Sequence, residues 1–388
     1  MATITAAPAP TATRTRTAPS ALRHVDLVLV MLPFAISALG LLMIYSSSRG
    51  RLARAGQSEL YYVQRQGLAI VVGVVAMLVC MAVDYRKIRD LWALVYVAML
   101  PLLAGVLVLG ASRKGAQAWF DVGPLQFQPS ELAKVALIAA VAGYCHHHRG
   151  DLDAWRLATA VLMAGVPIAL VLFQNDLGSA AVLAVCAGAV LVVAGIRPRH
   201  AAVLFLLLAS AVGAVIVTGT LDDYKIDRLT GFADQSVDGP ATEQTATEYN
   251  LEQAKSAIIA GGFDGAGLFN GTQTKLSYVP EQHTDFIFTV VGEELGFVGG
   301  ATVIALFSLL AWRLWRIALL SSDFFGTLVA IGVLAMFAFQ VFENVGMTMG
   351  IMPITGLPLP FMSYGGSAII ASFAAVGLAA NVHMRRFS

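Results

Sequence analysis

Charged residues are scarce in this chain. Aspartate, glutamate, lysine and arginine make up 13% of its 388 residues, whereas a soluble globular domain carries about 25%. Hydrophobic residues make up 57% of the sequence, and the mean hydropathy is +0.74. This composition excludes a soluble globular protein and indicates a polytopic membrane protein. The net charge of +1 gives no electrostatic basis for binding nucleic acid.

Cysteine is also rare, and the N-terminal region lacks apolar periodicity. Cys80, Cys145 and Cys186 lie in or at the ends of apolar runs, which favours small buried hydrophobes over a disulfide framework or a metal site. The first 24 residues are rich in alanine, threonine, proline and arginine. We therefore predict a disordered tail over 1–24 and a single membrane domain over 25–388.

Long apolar runs, by contrast, are abundant. A membrane-spanning helix needs roughly 20 apolar residues. The runs predict an all-α polytopic membrane protein, and an even number of spans places both termini on one side of the membrane. The ten predicted spans cover about 26–46, 67–83, 91–110, 131–146, 157–174, 178–195, 201–219, 286–312, 325–347 and 365–383.

The basic residues predict cytoplasmic termini. In that orientation the inner segments hold more arginine and lysine than the outer ones, once the long segment 220–285 is discounted. Arg49, Arg51, Arg54 and Arg65, which we assign to the first outer loop, oppose this orientation. The segment 220–285 then becomes one long extracytoplasmic loop between spans seven and eight. Apolar periodicity over 249–260 predicts a helix along the outer membrane surface within it.

The end of this loop, 280–296, concentrates ionisable side chains where an apolar helix begins. Glu281, His283, Asp285, Glu293 and Glu294 all lie there. Charge at the mouth of a membrane helix is costly and is usually kept for work on a substrate. Two simpler interpretations stay open: Asp285 as a helix N-cap, and the two glutamates as a solvated pair at the membrane interface.

Three other outer segments are unusual. Glu131 and Lys134 are three residues apart at the start of the fourth helix, where they can pair for a functional or a purely structural reason. The segment 349–366 is rich in proline and glycine yet largely apolar, and we predict a partly re-entrant loop that walls a groove. Asp176, between spans five and six, has a capping interpretation at least as strong as a catalytic one.

Three motifs together resemble the SEDS family of bacterial shape, elongation, division and sporulation proteins. They are EQHTDFIF at 281–288 with GEELG at 292–296, QPSELAK at 128–134, and PLPFMSYGGS at 358–367. The likeness covers about 25–385, and Gly271-Thr-Gln273 resembles the elongation branch more than the division branch. Asn175, Ala118 and Glu343 depart from the family pattern; Glu343 stands where a neutral residue is common.

The resemblance implies a ten-helix glycosyltransferase that polymerises lipid II into glycan strands at the outer face of the plasma membrane, during cell elongation. Asp285 would be the catalytic carboxylate, with Glu131 and Lys134 as the buried ion pair near it. The expected partners are a class B penicillin-binding protein that crosslinks the strands and other membrane proteins of the elongation complex. A division-specific polymerase is the alternative within the family.

This reaction requires a general base for the attacking hydroxyl and positive charge for the leaving diphosphate. A positioned carboxylate can take the proton of the attacking sugar hydroxyl. The leaving diphosphate needs cations, from side chains or from a Mg²⁺ or Mn²⁺ ion, and no organic cofactor is expected. Besides Lys134, the candidates for binding substrate and diphosphate are Arg113, Lys114, Arg228, His283, Glu281, Ser363 and Tyr364.

Two rival functions remain. Re-entrant loops and buried charges would also suit a lipid II flippase, although transporters bind near the membrane midplane and these ionisable residues are predicted at the outer face. A non-catalytic scaffold for wall enzymes would explain the apolar bulk, but it leaves the charged junction without a role.

Overall fold

Helices dominate the computed structural model, which describes residues 24–113, 116–122, 125–200, 202 and 246–387. The tail, the span predicted at 201–219, most of the long loop, Lys114 and Arg228 lie outside the described residues. The helices are α1 (Leu27–Arg54), α2 (Tyr61–Ala82), α3 (Tyr85–Asp90), α4 (Trp92–Leu109), α5 (Pro129–His147), α6 (Ala154–Phe173), α7 (Leu177–Val193), α8 (Ala246–Gly261), α9 (Thr272–Leu276), α10 (Ile287–Leu320), α11 (Phe324–Met349) and α12 (Gly366–Met384).

Most of the predicted spans are present as helices. Within the described ranges, seven helices are long and apolar enough to cross a membrane: α1, α2, α4, α6, α10, α11 and α12. The predicted spans at 131–146 and 178–195 correspond to α5, which packs against α4, α7, α11 and α12, and to the shorter α7. The chain is therefore a multi-pass membrane protein.

One helix occupies the centre of the bundle. In α12, 89% of the most apolar stretch is buried within the protein, against 17% in α4. α12 packs along α2 and also contacts α5 and α11. The 350–365 segment joins α11 to α12. It consequently leads the chain into the central helix of the bundle.

The prediction of an all-α fold missed a small antiparallel sheet. Its strands are β1 (Ala111–Arg113), β2 (Ala116–Val122) and β3 (Leu125–Phe127), in the order β1-β2-β3. The register pairs Arg113 with Ala116 and Val122 with Leu125. The sheet lies where α4 ends and α5 begins.

The helix α10 differs from the unbroken span predicted at 286–312. It continues to Leu320 and is interrupted at Gly296, whose backbone is left-handed with φ 64° and ψ −160°. The break removes hydrogen bonds from four backbone groups, and buried backbone groups must be paired. The loop 262–267 supplies the partners: Ala266 and Gly267 donate to the carbonyls of Glu293 and Glu294, and Phe297 and Val298 donate to the carbonyls of Gly262 and Phe263.

The helix predicted within the long loop exists as α8, but its apolar face is not available to the membrane. α8 packs against α10 and α11. Its buried residues Leu251, Ala254 and Ala257 form a small core with Phe286 and Met347, among others. The loop is thereby fastened to the spans that flank Asp285.

Candidate active site

Asp285 lies one residue before the N-cap of α10. Phe286 is the N-cap and makes no side-chain capping bond, so the interpretation of Asp285 as a helix cap is wrong. The carboxylate is half-buried and lies against Gly356, because a methyl group added there would be 3.4 Å from Asp285 Oδ2. The main-chain carbonyl of Asp285 accepts a hydrogen bond of 2.8 Å from Asn344 Nδ2.

The 350–365 segment forms the wall opposite Asp285. It is irregular backbone, and Leu357, Leu359, Phe361 and Met362 within it are buried by the surrounding helices. Irregular backbone at membrane depth survives only when protein covers it, and protein covers this segment; its re-entrant path stays a prediction. The hydroxyl of Ser363 accepts a 2.9 Å hydrogen bond from Leu359 N, so it is engaged by the segment's own backbone.

Gln66 on α2 fastens the end of this segment. Its Nε2 donates to the Ser363 carbonyl at 2.9 Å, and its Oε1 accepts from the Gly365 amide at 3.1 Å. Tyr364, between these two residues, donates its own amide hydrogen to the His283 carbonyl at 2.8 Å. The loop before α10 and the 350–365 segment are thus tied directly together.

Two of the predicted substrate-binding residues, His283 and Tyr364, meet a tyrosine that sequence reasoning did not single out. The ring centroid of Tyr62 lies 4.5 Å from that of His283 and 4.9 Å from that of Tyr364. Burial raises the pKa of the Tyr364 hydroxyl, and the nearby Arg65 guanidinium opposes the shift. At neutral pH this hydroxyl is therefore protonated and can donate a hydrogen bond to an anion.

Two arginines at this site were also missed. Arg51 Nη2 lies 3.5 Å from His283 Nε2 and its guanidinium is 5.7 Å from the Tyr62 ring centroid. The Arg65 guanidinium is 4.4 Å from the Tyr61 ring centroid. Both had been assigned to an outer loop, whereas α1 in fact continues to Arg54 and α2 begins at Tyr61. The helical ends place Arg51 beside the loop before α10 and Arg65 beside the rings at the start of α2.

The predicted ion pair forms in the interior. Lys134 Nζ is 2.7 Å from Glu131 Oε1, and both side chains are buried. The start of α5, which carries this ion pair, is linked to the Asp285 site through the start of α7. Asp176 caps α7 through Ser179 N and also accepts from Gln128 Nε2 at 2.9 Å, beside the start of α5.

The start of α7 then meets the wall of the site. A methyl group added at Gly178 would lie 3.2 Å from the Thr355 carbonyl and against the Leu357 side chain. The ion pair, the α7 cap and the Asp285 loop therefore belong to one end of the bundle, which we call the site end. The catalytic and supporting roles of these residues stay predictions.

Glu293 and Glu294 are buried rather than solvated, so their interpretation as an interfacial pair is wrong. Glu293 accepts hydrogen bonds from Gln273 N (2.7 Å), Thr274 N (2.9 Å) and Thr274 Oγ1 (2.6 Å) at the start of α9. Glu294 accepts from Phe269 N at 3.1 Å and from the Ser46 hydroxyl. The two carboxylates hold the loop in the α10 break and join it to α1.

The remaining candidates are less informative. The Glu281 carbonyl accepts from the amides of Thr284 and Phe286, which shapes the turn before Asp285. Arg113 belongs to β1, but its side chain lies outside the description, as do Lys114 and Arg228. The described part of the chain contains no group of three or more His, Cys, Asp or Glu side chains that could hold a metal ion.

Fold and site together define a polytopic membrane protein with a half-buried carboxylate and two arginines near an aromatic cluster at one end of the bundle. Known proteins share this architecture. A family model described as a cell cycle protein of the FtsW, RodA and SpoVE type matches residues 26–387. The chain belongs to this family, which is the SEDS family of the resemblance.

Individual relatives match nearly the full chain. Stage V sporulation protein E of Bacillus subtilis is 35% identical over 362 residues, covering 92% of this chain and 96% of the relative. The peptidoglycan glycosyltransferase MrdB of Escherichia coli K12 is 34% identical over 364 residues, covering 94% of each. A solved structure, described as structural coordination of polymerization and crosslinking by a peptidoglycan synthase complex, has a TM-score of 0.78 at 34% identity and covers 93% of this chain and 98% of that chain. These matches do not distinguish the elongation branch from the division branch.

Proposed function

We propose that this protein is a peptidoglycan glycosyltransferase that polymerises lipid II into glycan strands at the outer face of the bacterial plasma membrane. Support comes from the relative named as a peptidoglycan glycosyltransferase and from membership of its family. The observation that carries the proposal is the position of Asp285. Its carboxylate lies outside the helix cap, half-buried, between the charged loop and the wall of the 350–365 segment.

In the proposed reaction Asp285 acts as a general base. The carboxylate takes the proton from the attacking hydroxyl of one saccharide as that oxygen forms a bond to the anomeric carbon of the other. The bond between this carbon and the diphosphate oxygen breaks, and the electron pair leaves with the polyprenyl diphosphate. A positioned base of this kind contributes about 10²–10⁴ in rate. Asp285 then returns its proton to water.

Arg51, Arg65 and Tyr364 are the proposed ligands of the diphosphate. A departing diphosphate gains negative charge, and guanidinium groups pair well with phosphate oxygens. The two arginines lie beside Tyr61, Tyr62 and His283, close to the residues that lead into Asp285. The neutral Tyr364 hydroxyl adds a hydrogen-bond donor.

The test is polymerisation of labelled lipid II by purified protein. Asp285→Asn keeps the side-chain size and removes the base, so the rate should fall by about 10²-fold or more. Asp264→Asn is the matched control, because Asp264 is an exposed aspartate in the loop that fills the α10 break. Near wild-type synthesis by Asp285→Asn would show that the proposed base is wrong. Assays with Mn²⁺, with Mg²⁺ and with a chelator test the expected divalent ion.

Lipid II transport is the second candidate, because the broken helix α10 and the irregular 350–365 segment resemble features of transporters. The same variant separates the two functions. Transport should survive Asp285→Asn, whereas polymerisation should not. Transport activity in proteoliposomes without any glycan product from the wild type would favour the flippase.

The elongation role and the partner extend this proposal. We assign the chain to the elongation branch because Gly271-Thr-Gln273 resembles that branch. Rescue of cells depleted of their elongation polymerase, but not of their division polymerase, would support the assignment. A class B penicillin-binding protein is the proposed partner, supported by the similarity to a component of a peptidoglycan synthase complex, and co-purification tests it.

A further inference from the structure

Asn344 on α11 joins the loop before α10 to the 350–365 segment through a single side-chain amide group. Its Nδ2 donates one hydrogen bond of 2.8 Å to the main-chain carbonyl of Asp285 and another of 2.8 Å to the carbonyl of Leu357. A side-chain amide has only two N–H donors, so both are used. The side chain is completely buried, with 0% exposure.

Neither of these two carbonyls belongs to a regular helix or strand. Asp285 precedes the cap of α10, and Leu357 lies in the irregular 350–365 segment. Buried carbonyls in such places need donors from side chains or water. α11 is a continuous helix packed between α7 and α10. Its Asn344 therefore holds both carbonyls at fixed positions relative to the same helix.

The position of Asn344 also sets a distance that matters for the base. The Asp285 carboxylate lies against Gly356, which is the residue next to Leu357. Moving either carbonyl away from Asn344 would change the separation between the carboxylate and this wall. Misplacement of a reacting group by about 1 Å can reduce a rate by about 10²-fold.

The neighbouring residue of α11 braces the same stretch of chain. Glu343 is buried, and its Oε1 accepts a hydrogen bond of 2.9 Å from Thr355 Oγ1. Glu343 and Asn344 therefore hold the stretch 355–357 on both sides of Gly356. This arrangement restrains the wall against moving away from Asp285.

We propose that Asn344 is a positioning residue, which sets the Asp285 carboxylate against Gly356 through the carbonyls of Asp285 and Leu357. The inference rests on the proposed function, because it assigns Asn344 a role in the step for which Asp285 is the base. Asn344 acts through Asp285 and does not itself contact the substrate.

The main test is Asn344→Asp, which keeps the side-chain size but removes both donors and sets carboxylate oxygens against two carbonyl oxygens. We expect the kcat of lipid II polymerisation to fall about 10- to 100-fold. Binding of labelled lipid II should change by less than about twofold, because the arginine and tyrosine ligands are untouched. Asn344→Ala, which only removes the donors, should show the same division between kcat and binding.

The matched control is Gln340→Glu. Gln340 is a buried amide one turn earlier on α11, and this variant makes the same change from amide to acid. Its kcat per folded protein should stay near wild type. The double variant Asp285→Asn with Asn344→Asp should be no slower than Asp285→Asn alone, since residues that act as a unit are non-additive.

The outcomes separate this inference from the proposed function. Near wild-type synthesis by Asp285→Asn would overturn the base itself. An inactive Asp285→Asn together with folded Asn344 variants of wild-type kcat would overturn only the positioning role. Failure of both Asn344 variants to fold, or a further loss of rate in the double variant, would also overturn it by showing a role in the fold at large.

Discussion

Arg51 and Arg65 place positive charge at the site end. Each guanidinium lies near a tyrosine ring, at 5.7 Å from Tyr62 and 4.4 Å from Tyr61. Stacking on aromatic rings orients an arginine without using up its hydrogen-bond donors. Arg51 Nη2 also donates to the Tyr62 hydroxyl at 3.2 Å, but a guanidinium has five N–H donors, so donors remain for an anionic ligand.

Replacing either arginine should weaken lipid II binding more than it slows the chemical step. A hydrogen bond to a charged group contributes about 1.5–3 kcal/mol, and 1.4 kcal/mol corresponds to about tenfold in affinity. Arg51→Gln and Arg65→Gln should each raise the KM for lipid II by about tenfold or more. Steady-state polymerisation kinetics at constant ionic strength measures the effect.

Arg54→Gln is the control for these variants. Arg54 lies one turn beyond Arg51 on α1, but its side chain bonds the Gly50 carbonyl and the Ser277 hydroxyl. Its replacement should leave KM within about twofold of wild type, since exposed polar contacts contribute little. An equal rise in KM for Arg54→Gln would mean that general surface charge, and not a local diphosphate site, governs binding.

At the residue scale the sequence predicted which ionisable groups lie together better than it predicted where the helices end. The density of ionisable groups pointed to Asp285 and His283, and the spacing of Glu131 and Lys134 predicted their pair. Arg51 and Arg65 were missed because the end of an apolar run does not mark the end of a helix. α1 continues past residue 46 through serines that bond back to the carbonyls of Met43 and Ile44.

The broken helix α10 is the element that carries Asp285 into position. The part before Gly296 follows the loop that contains Asp285, and the part after it runs on to Leu320. The glycines at 265 and 296, both with positive φ, allow the two backbones to meet. A methyl group at Gly296 would overlap the backbone of Phe263 and Gly265, so the crossing depends on glycine at that residue.

Gly296→Ala should therefore destabilise the protein substantially. A left-handed backbone costs a residue with a Cβ about 1–2 kcal/mol, and overpacking typically adds about 1–3 kcal/mol. We expect a clear fall in the melting temperature measured in detergent, together with loss of polymerisation. Gly300→Ala is the control within the same helix, because a methyl group there would meet only Phe288 Cζ at 3.4 Å.

The control should be neutral or slightly stabilising, since alanine favours a helix over glycine by about 1 kcal/mol. Equal melting temperatures for Gly296→Ala and wild type would contradict the crossing as described. The break itself could not be predicted from the pattern, because apolar residues continue on both sides of Glu293 and Glu294 and predict a single helix. The small sheet was missed because two of its three strands, β1 and β3, have only three residues each and are too short to show an alternating pattern.

Across the whole molecule the two ends of the bundle differ in chemistry. The site end carries Asp285, the aromatic rings and the loop that fills the α10 break. The opposite end is closed by structural contacts. There Arg313 pairs with the Asp26 cap of α1, and Asn381 donates to the carbonyls of Cys80 and Val83.

The opposite end also holds more than half of the arginines and lysines within the described ranges. Hydrophobic runs and the distribution of charge predicted this asymmetry from sequence, because both reflect how a chain is solvated and inserted and neither requires knowledge of packing. The way the loops cross at the site end could not be predicted, since it depends on pairings between residues that are far apart in the chain. The basic residues at the opposite end are Arg86, Lys87, Arg89, Arg149, Arg156, Arg197, Arg199, Arg313, Arg316, Arg385 and Arg386.

This charge asymmetry predicts that the site end faces away from the cytoplasm, as a lipid II polymerase requires. Ser58, between α1 and α2, and Ser322, between α10 and α11, are exposed residues at the site end and the opposite end. In intact cells whose outer permeability barrier is opened, a membrane-impermeant maleimide should label Ser58→Cys, whereas Ser322→Cys should react only after lysis. The wild type is the background control, because Cys145 and Cys186 are buried and Cys80 is partly buried. Labelling of Ser322→Cys alone in unlysed cells would put Asp285 in the cytoplasm, where a base for extracellular glycan synthesis could not act.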